Sequence, residues 1–123
     1  MKDKLRKVWN ELLIPDSHDD NWYAWGTNQP AHALLIGFSS GWVGLMLGFG
    51  PILSPLLVAA AYYTIWERTI QKHGRCSDQV MDTVHVMAGA SLIAAASIHI
   101  AWVGPTFLIW LALLAYGILK RVD

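Results

Sequence analysis

Two long stretches of the chain contain no charged residue, and this pattern predicts membrane-spanning helices. No Asp, Glu, Lys or Arg occurs from Asn21 to Trp66, and none occurs from Thr83 to Leu119. Helices of soluble proteins rarely run so far without a charge, whereas apolar runs of more than about 18 residues are typical of transmembrane segments. We therefore expect an all-α integral membrane protein.

Each uncharged stretch is too long for a single crossing. As one helix the second stretch would be about 55 Å long at about 1.5 Å per residue, whereas the hydrocarbon core of a bilayer is about 30 Å thick. A turn signal lies near the middle of each stretch, Gly50-Pro51 and Gly104-Pro105. Gly tolerates the positive φ at a helix C-terminus, and Pro suits the first position of a helix. The pattern predicts four spans, at 27–48, 51–67, 80–102 and 105–121.

The distribution of charge predicts the orientation of these spans. Only 15% of the 123 residues are charged and the net charge is zero, so bulk electrostatics give no case for nucleic-acid binding. With two crossings per stretch, all nine basic residues lie on one side, which the positive-inside rule makes cytoplasmic. We expect a multi-pass inner (plasma) membrane protein with both termini in the cytoplasm. The basic residues are Lys2, Lys4, Arg6, Lys7, Arg68, Lys72, Arg75, Lys120 and Arg121.

The two halves match at an offset of 53 residues, which predicts two tandem helical hairpins related as a parallel internal repeat. His32 aligns with His85, and a stripe of small residues in the first span aligns with one in the third. In lipid, close approach of small residues is a main source of helix association. We expect the stripes to be helix-packing seams. They comprise Gly37, Gly41, Gly44 and Gly48, aligned with Ala90, Ala94, Ser97 and Ala101.

The chain divides into an N-terminal arm (1–26), a first transmembrane hairpin (27–67), a cytoplasmic loop (68–79) and a second hairpin (80–123). Residues 2–14 of the arm have the pattern of an amphipathic helix, with Leu5, Val8 and Trp9 on its apolar side. A basic helix bearing Trp is suited to an anionic membrane surface. The alternative is that it packs on loops of the protein itself.

Ionisable side chains within the predicted spans are the candidate functional groups. His32, Asp82, His85 and His99 form a putative intramembrane polar site, because an ionisable group within a span is functional by default. The alternative is that the histidines make structural hydrogen bonds, for instance Asp82 with His85. His18 lies among Asp16, Asp19 and Asp20, but crowded exposed acids are usually solvated. We expect no metal site and no cofactor.

Asp82-x-x-His85 at the start of a span, with His32 following Asn28 in the first hairpin, resembles the VanZ-like family of small bacterial membrane proteins. That family often carries an acidic residue just before a His at a helix start. The resemblance implies a bacterial inner-membrane protein. In size and plan the chain is also similar to phage holins, which have few spans and small-residue seams.

These features lead to three functional hypotheses. The first is a non-enzymatic membrane protein that works by self-association as a homo-oligomer, or by pairing with another membrane subunit, as in a holin-like pore former. No pair of nucleophile and base stands out that would favour an enzyme. The second is an enzyme or transporter with a polar site at His32, Asp82 and His85. The third is an accessory subunit of a larger membrane complex.

Overall fold

A computed structural model of the protein describes residues 1–14, 18, 20–71 and 74–122. The all-α prediction is confirmed, since these residues form helices and no strand. A short N-terminal helix (Lys2–Leu12) precedes four long helices. The first long helix joins Trp22–Pro30, a π-helix Ala31–Phe38 and Ser39–Met46, and the second joins Gly50–Ala61 and a π-helix Tyr62–Ile70. The third is Cys76–Ile98, and the fourth is Val103–Leu119 after a 3₁₀ turn, Ile100–Trp102.

The first and second long helices are each widened by a π-helical segment. Such turns add one residue to each backbone hydrogen-bonded ring and are frequent at functional positions. The first segment begins directly after Pro30, which has no N–H and whose ring displaces the preceding turn. In the second, Thr69 Oγ1 donates to the carbonyl of Thr64 at 2.7 Å. The two segments carry His32, Tyr62 and Glu67.

The third long helix is the centre of the molecule. Val86 and Ala90 on this helix have no exposed surface. The first long helix runs parallel to it, because residue numbers on the two helices rise together along their contact, from Gln29 beside Asp82 to Gly41 beside Ala90. The second and fourth long helices run antiparallel to it, as expected for two hairpins entered from the same end.

The first and third long helices cross in direct backbone contact. A Cβ added to Gly37 would collide with the backbone of Val86, and a Cβ added to Gly89 would collide with the backbone of Ala33. Gly41 lies against Ala90 in the same way. Gly at these positions therefore sets the separation of the two axes, as in the small-xxx-small crossings of membrane helices.

Members of the predicted small-residue stripe beyond this crossing lie elsewhere. Gly44 faces the Ser54 side chain of the second helix, and Ser54 Oγ donates to the carbonyl of Gly41 at 2.9 Å. Gly48 has φ +86° and lies in the first turn. Ala94 is buried, whereas Ser97 and Ala101 are exposed near the second turn. The contact between the first and third helices therefore extends over fewer residues than the predicted small-residue stripe.

The two turns differ from each other. In the first, Gly48 and Gly50 both have positive φ, as the Gly50-Pro51 signal suggested. The second does not lie at Gly104-Pro105, because both residues belong to the first turn of the fourth helix. It lies at His99, whose backbone is extended and whose Nδ1 accepts from the Ala101 amide at 3.1 Å. Pro105 is tolerated within the helix because an N–H in the first turn has no intrahelical partner.

Two helical segments are long and apolar enough to cross a membrane by themselves, Cys76–Ile98 and Ile100–Leu119. Their surroundings differ, because the third helix is much more buried within the protein than the fourth. Residues from the N-terminal helix, from the segment between the second and third helices and from the C-terminal residues Lys120 and Arg121 meet at one end of the bundle. We call it the polar end, and the opposite end the turn end.

The helix crossing generates a stability prediction. Gly89→Ala should lower the free energy of unfolding by about 2 kcal/mol, because the added methyl group overpacks a backbone contact. Gly104→Ala is the matched control, since no atom lies within 4 Å of the added Cβ, and it should change stability by less than about 0.5 kcal/mol. Unfolding of the two purified variants in detergent tests this. Equal stability would contradict the close crossing.

Candidate functional site

The carboxyl group of Asp82 joins the first and third long helices at the polar end. Gln29 Nε2 donates to Asp82 Oδ1 at 2.8 Å, and His32 Nε2 lies 3.8 Å from Asp82 Oδ2. His32 Nδ1 donates to the carbonyl of Asn28 at 3.1 Å, because a carbonyl can only accept. Its Nε2 therefore faces Asp82. Gln29 and Asp82 are also equivalent positions of the 53-residue repeat.

A second group of buried polar side chains comes from the second and third long helices. Glu67 is 2% exposed and Gln79 is 4% exposed. Gln79 Nε2 donates to the backbone carbonyl of Glu67 at 2.9 Å, which leaves Gln79 Oε1 as an acceptor. Gln79 Oε1 has no hydrogen-bond partner among the described residues, whereas the buried Tyr62 hydroxyl lies beside the Glu67 carboxyl group as its hydrogen-bond donor. Tyr62, one helical turn before Glu67, lies edge-on to the His32 ring at 6.0 Å.

These two groups line a cavity of about 420 Å³ at the polar end. The N-terminal helix covers part of it: Gln71 Nε2 donates to the carbonyl of Leu12 at 3.3 Å, and the Trp9 ring contacts Trp66 edge-on. Polar and charged residues line the cavity together with the apolar side chains of Leu12, Ile14, Ile36 and Trp66. Its lining includes Glu11, His32, Trp66, Glu67, Asp78, Gln79 and Asp82.

His85 is separated from this cavity although it lies one helical turn from Asp82. It is fully buried, and its Nδ1 accepts a 2.9 Å hydrogen bond from Trp110 Nε1 on the fourth helix. The Trp25 ring lies edge-on to the imidazole at 5.6 Å, and the guanidinium of Arg121 stacks over Trp25 at 4.3 Å. His85 thus belongs to a cluster that joins the fourth helix to the rest of the bundle, and it does not bond to Asp82.

The structure therefore separates the four predicted site residues. His32 and Asp82 come together, His85 faces the fourth helix, and His99 is exposed in the second turn at the far end. Asp16 and Asp19, which flank His18 in the sequence, lie outside the described residues. Within the described part of the chain, no three His, Cys, Asp or Glu side chains are grouped closely enough to hold a metal ion.

The sequence-based prediction did not include Glu67, Gln79 and Trp110. Glu67 is the first charged residue after an uncharged stretch and the last residue of the predicted second span, 51–67. The pairing of Gln29 with Asp82 was accessible, because the repeat makes them equivalent and parallel helices bring equivalent positions together. Nothing in the sequence identifies Trp110 as the partner of His85.

Comparison with known proteins gives no family for this chain. No protein family, no curated protein and no solved structure matches it.

The His85 cluster generates a prediction about the fourth helix. Trp110→Phe should lower the free energy of unfolding by about 2 kcal/mol, because it leaves the buried His85 Nδ1 without its donor. Trp102→Phe is the matched control, since Trp102 is 58% exposed and should cost less than about 0.5 kcal/mol. Chemical unfolding in detergent, followed by far-ultraviolet circular dichroism, measures both. Equal losses would contradict a structural role for the Trp110–His85 bond.

Proposed function

We propose that the protein is an integral membrane protein with four transmembrane helices that binds a small polar ligand in the cavity at its polar end. The observation that carries this proposal is the reversal of the usual distribution of side chains. Gln29, Glu67 and His85 are almost completely buried, whereas large apolar side chains cover the outside of the bundle. Exposed apolar patches of this extent are costly in water and favourable in lipid.

Most of the exposed large apolar side chains lie on the first, second and fourth long helices. Leu35 is 72% exposed, Ile52 is 78% exposed and Leu108 is 65% exposed, and each has apolar neighbours. The first long helix has 25 residues and the second has 21, and about 20 residues are needed to cross a bilayer. The third helix is largely enclosed by the others. These features support four spans in preference to two.

The polar end is proposed to face the cytoplasm. Described basic residues from both termini and from the segment before the third helix lie there, and the positive-inside rule assigns such an end to the cytoplasmic side. The N-terminal helix fits the same orientation. Its apolar side chains Leu5, Val8 and Leu12 are more than half exposed, so they are available to the membrane surface beside the bundle.

The geometry supports ligand binding more strongly than catalysis or pore formation. Ser54, Ser91 and Ser97 each donate to a backbone carbonyl, so these hydroxyl groups are occupied in helix packing. The holin-like hypothesis relied on the glycine stripe as a surface for self-association. The space beside Gly37 and Gly41 is already occupied by the third helix of the same chain. Association with another membrane subunit and the resemblance to the VanZ-like family are both compatible with a ligand-binding membrane protein.

Cys76 provides a direct test of the proposed topology. It is the single cysteine of the chain and it is exposed at the start of the third helix. A membrane-impermeant maleimide should leave Cys76 unlabelled in intact spheroplasts and should label it in inside-out vesicles. The double variant Cys76→Ser with Phe49→Cys is the control, because residue 49 lies in the first turn and should show the opposite pattern. Labelling of Cys76 in intact spheroplasts would exclude a cytoplasmic polar end, and the same labelling pattern for residues 49 and 76 would exclude a membrane crossing between them.

A second measurement separates ligand binding from pore formation. Induced expression in a bacterium carrying a potential-sensitive dye should leave the membrane potential unchanged, because the bundle interior is filled by close helix packing at Gly37, Gly41 and Gly89. The untreated host and a host treated with a protonophore give the two limits. Collapse of the potential on induction would favour the pore former instead.

A further inference from the structure

The N-terminal helix (Lys2–Leu12) has an apolar face that the bundle leaves uncovered. None of the residues of this helix is buried, and Leu5, Val8 and Leu12 are 63%, 53% and 51% exposed. At about 100° per residue, these three side chains lie within an arc of about 60° on one side of the helix. Apolar side chains gathered on one face are costly to leave in water. The described residues of the chain therefore leave this face open to a partner.

The attachment of the helix to the bundle does not use up this face. The Trp9 ring lies edge-on to Trp66 with ring centroids 6.5 Å apart, and Gln71 Nε2 donates to the carbonyl of Leu12 at 3.3 Å. Trp9 itself stays 50% exposed. Ile65, the neighbour of Trp66 in the chain, is 58% exposed, so apolar surface of the bundle lies close to the point of attachment. The helix is thus held where the side of the bundle meets its polar end.

Basic side chains lie at both edges of the apolar face. By helical spacing, Lys4 lies beside Val8 at one edge and Arg6 lies at the other, whereas Asp3 and Glu11 lie on the opposite side. Lys7 is also on that side, with its Nζ 3.9 Å from Glu11 Oε1. A Lys or Arg at the edge of an apolar face can lay its stem along the lipid and place its charge among the headgroups.

This arrangement of charge favours an anionic lipid surface over other occupants. A second copy of the helix would bring the same basic edges together, and like charges repel. A zwitterionic surface would bury the apolar face but leave both basic edges without counter-charges. The cytoplasmic leaflet carries anionic lipids, and each basic residue near such a surface adds to the attraction. Apolar burial and charge complementarity then act on the same face of the helix.

We propose that the N-terminal helix binds anionic phospholipid headgroups of the cytoplasmic leaflet, with Leu5, Val8 and Leu12 in the lipid and with Lys4 and Arg6 on the headgroup phosphates. This inference rests on the membrane location in the proposed function and names the partner of a surface outside the cavity. Because Leu12 also lines the cavity, contact with lipid would hold the last turn of the helix over the cavity entrance.

The experiment places an environment-sensitive fluorophore on the proposed lipid-facing side of the full-length protein. Val8→Cys in a Cys76→Ser background is labelled with nitrobenzoxadiazole and placed, one copy per disc, in nanodiscs of phosphatidylcholine alone or of an equal mixture with phosphatidylglycerol. We expect the emission to shift to the blue in the mixture and to return toward the phosphatidylcholine value in high salt, because salt screens the attraction. Asn10→Cys is the matched control on the opposite side of the helix, and its emission should be the same in both discs.

A pair of lysine variants locates the charges that recognise the headgroups. In the Val8→Cys protein, Lys4→Gln should raise the phosphatidylglycerol fraction at half-maximal shift by about twofold or more, because it removes a charge at the edge of the apolar face. Lys7→Gln makes the same change of residue and charge on the opposite side, and it should raise that fraction by less than half as much. Equal effects of the two variants would overturn the assignment of the basic edges.

The other outcomes identify the remaining occupants of this face. Equal emission from the residue 8 label in the two lipid compositions would overturn recognition of anionic lipid, whether the face lies on zwitterionic lipid or on the protein itself. A blue shift on adding soluble glycerol 3-phosphate to phosphatidylcholine discs would assign a free anion instead, and a shift seen only in discs with two copies would assign self-association. The labelling pattern of Cys76 tests the membrane topology separately, so a cytoplasmic polar end with a lipid-insensitive helix would overturn this inference alone.

Discussion

The backbone contact between the first and third long helices is the constraint on which the rest of the structure depends. Gly37 and Gly89 each admit the backbone of the opposite helix, near Val86 and Ala33. In a bilayer, apolar side chains gain little by leaving lipid for protein, so close packing and interhelical hydrogen bonds provide the association energy. The crossing also brings Gln29 within 2.8 Å of Asp82 on the polar side. A larger side chain at either glycine would separate the two polar groups as well as the two helices.

The sequence match at an offset of 53 residues agrees with the parallel course of the first and third long helices, and its two copies differ in the aromatic partner of the histidine. His32 and His85 are equivalent, and each meets an aromatic ring from the helix that follows it in the chain, Tyr62 in one case and Trp110 in the other. Trp110 donates to His85 and closes that side with a bulky indole. Tyr62 lies 6.0 Å from His32 and leaves it accessible to the space beside Glu67.

The cavity brings together polar side chains from three helices. Asp82 accepts from Gln29 and faces His32, Glu67 lies beside the Tyr62 hydroxyl, and Gln79 Oε1 has no partner among the described residues. Apolar residues at such positions would pack without this cost, since buried charge destabilises unless it is completed. The buried polar side chains are therefore the feature on which the proposed ligand binding depends.

Local patterns in the sequence determined the helical class and the position of the first turn. Uncharged runs and Gly-Pro signals determine local structure without the help of tertiary contacts. The repeat predicted that His32 and Asp82 lie at one end of the bundle. The prediction placed the second turn at Gly104-Pro105. The chain instead turns at His99, and Gly104-Pro105 belongs to the fourth helix. Only the tertiary structure decided that Glu67 is buried, that Trp110 binds His85 and that Gln79 keeps an unused acceptor. Those outcomes depend on the rotation of each helix about its axis, which packing against neighbours sets and which sequence spacing alone leaves open.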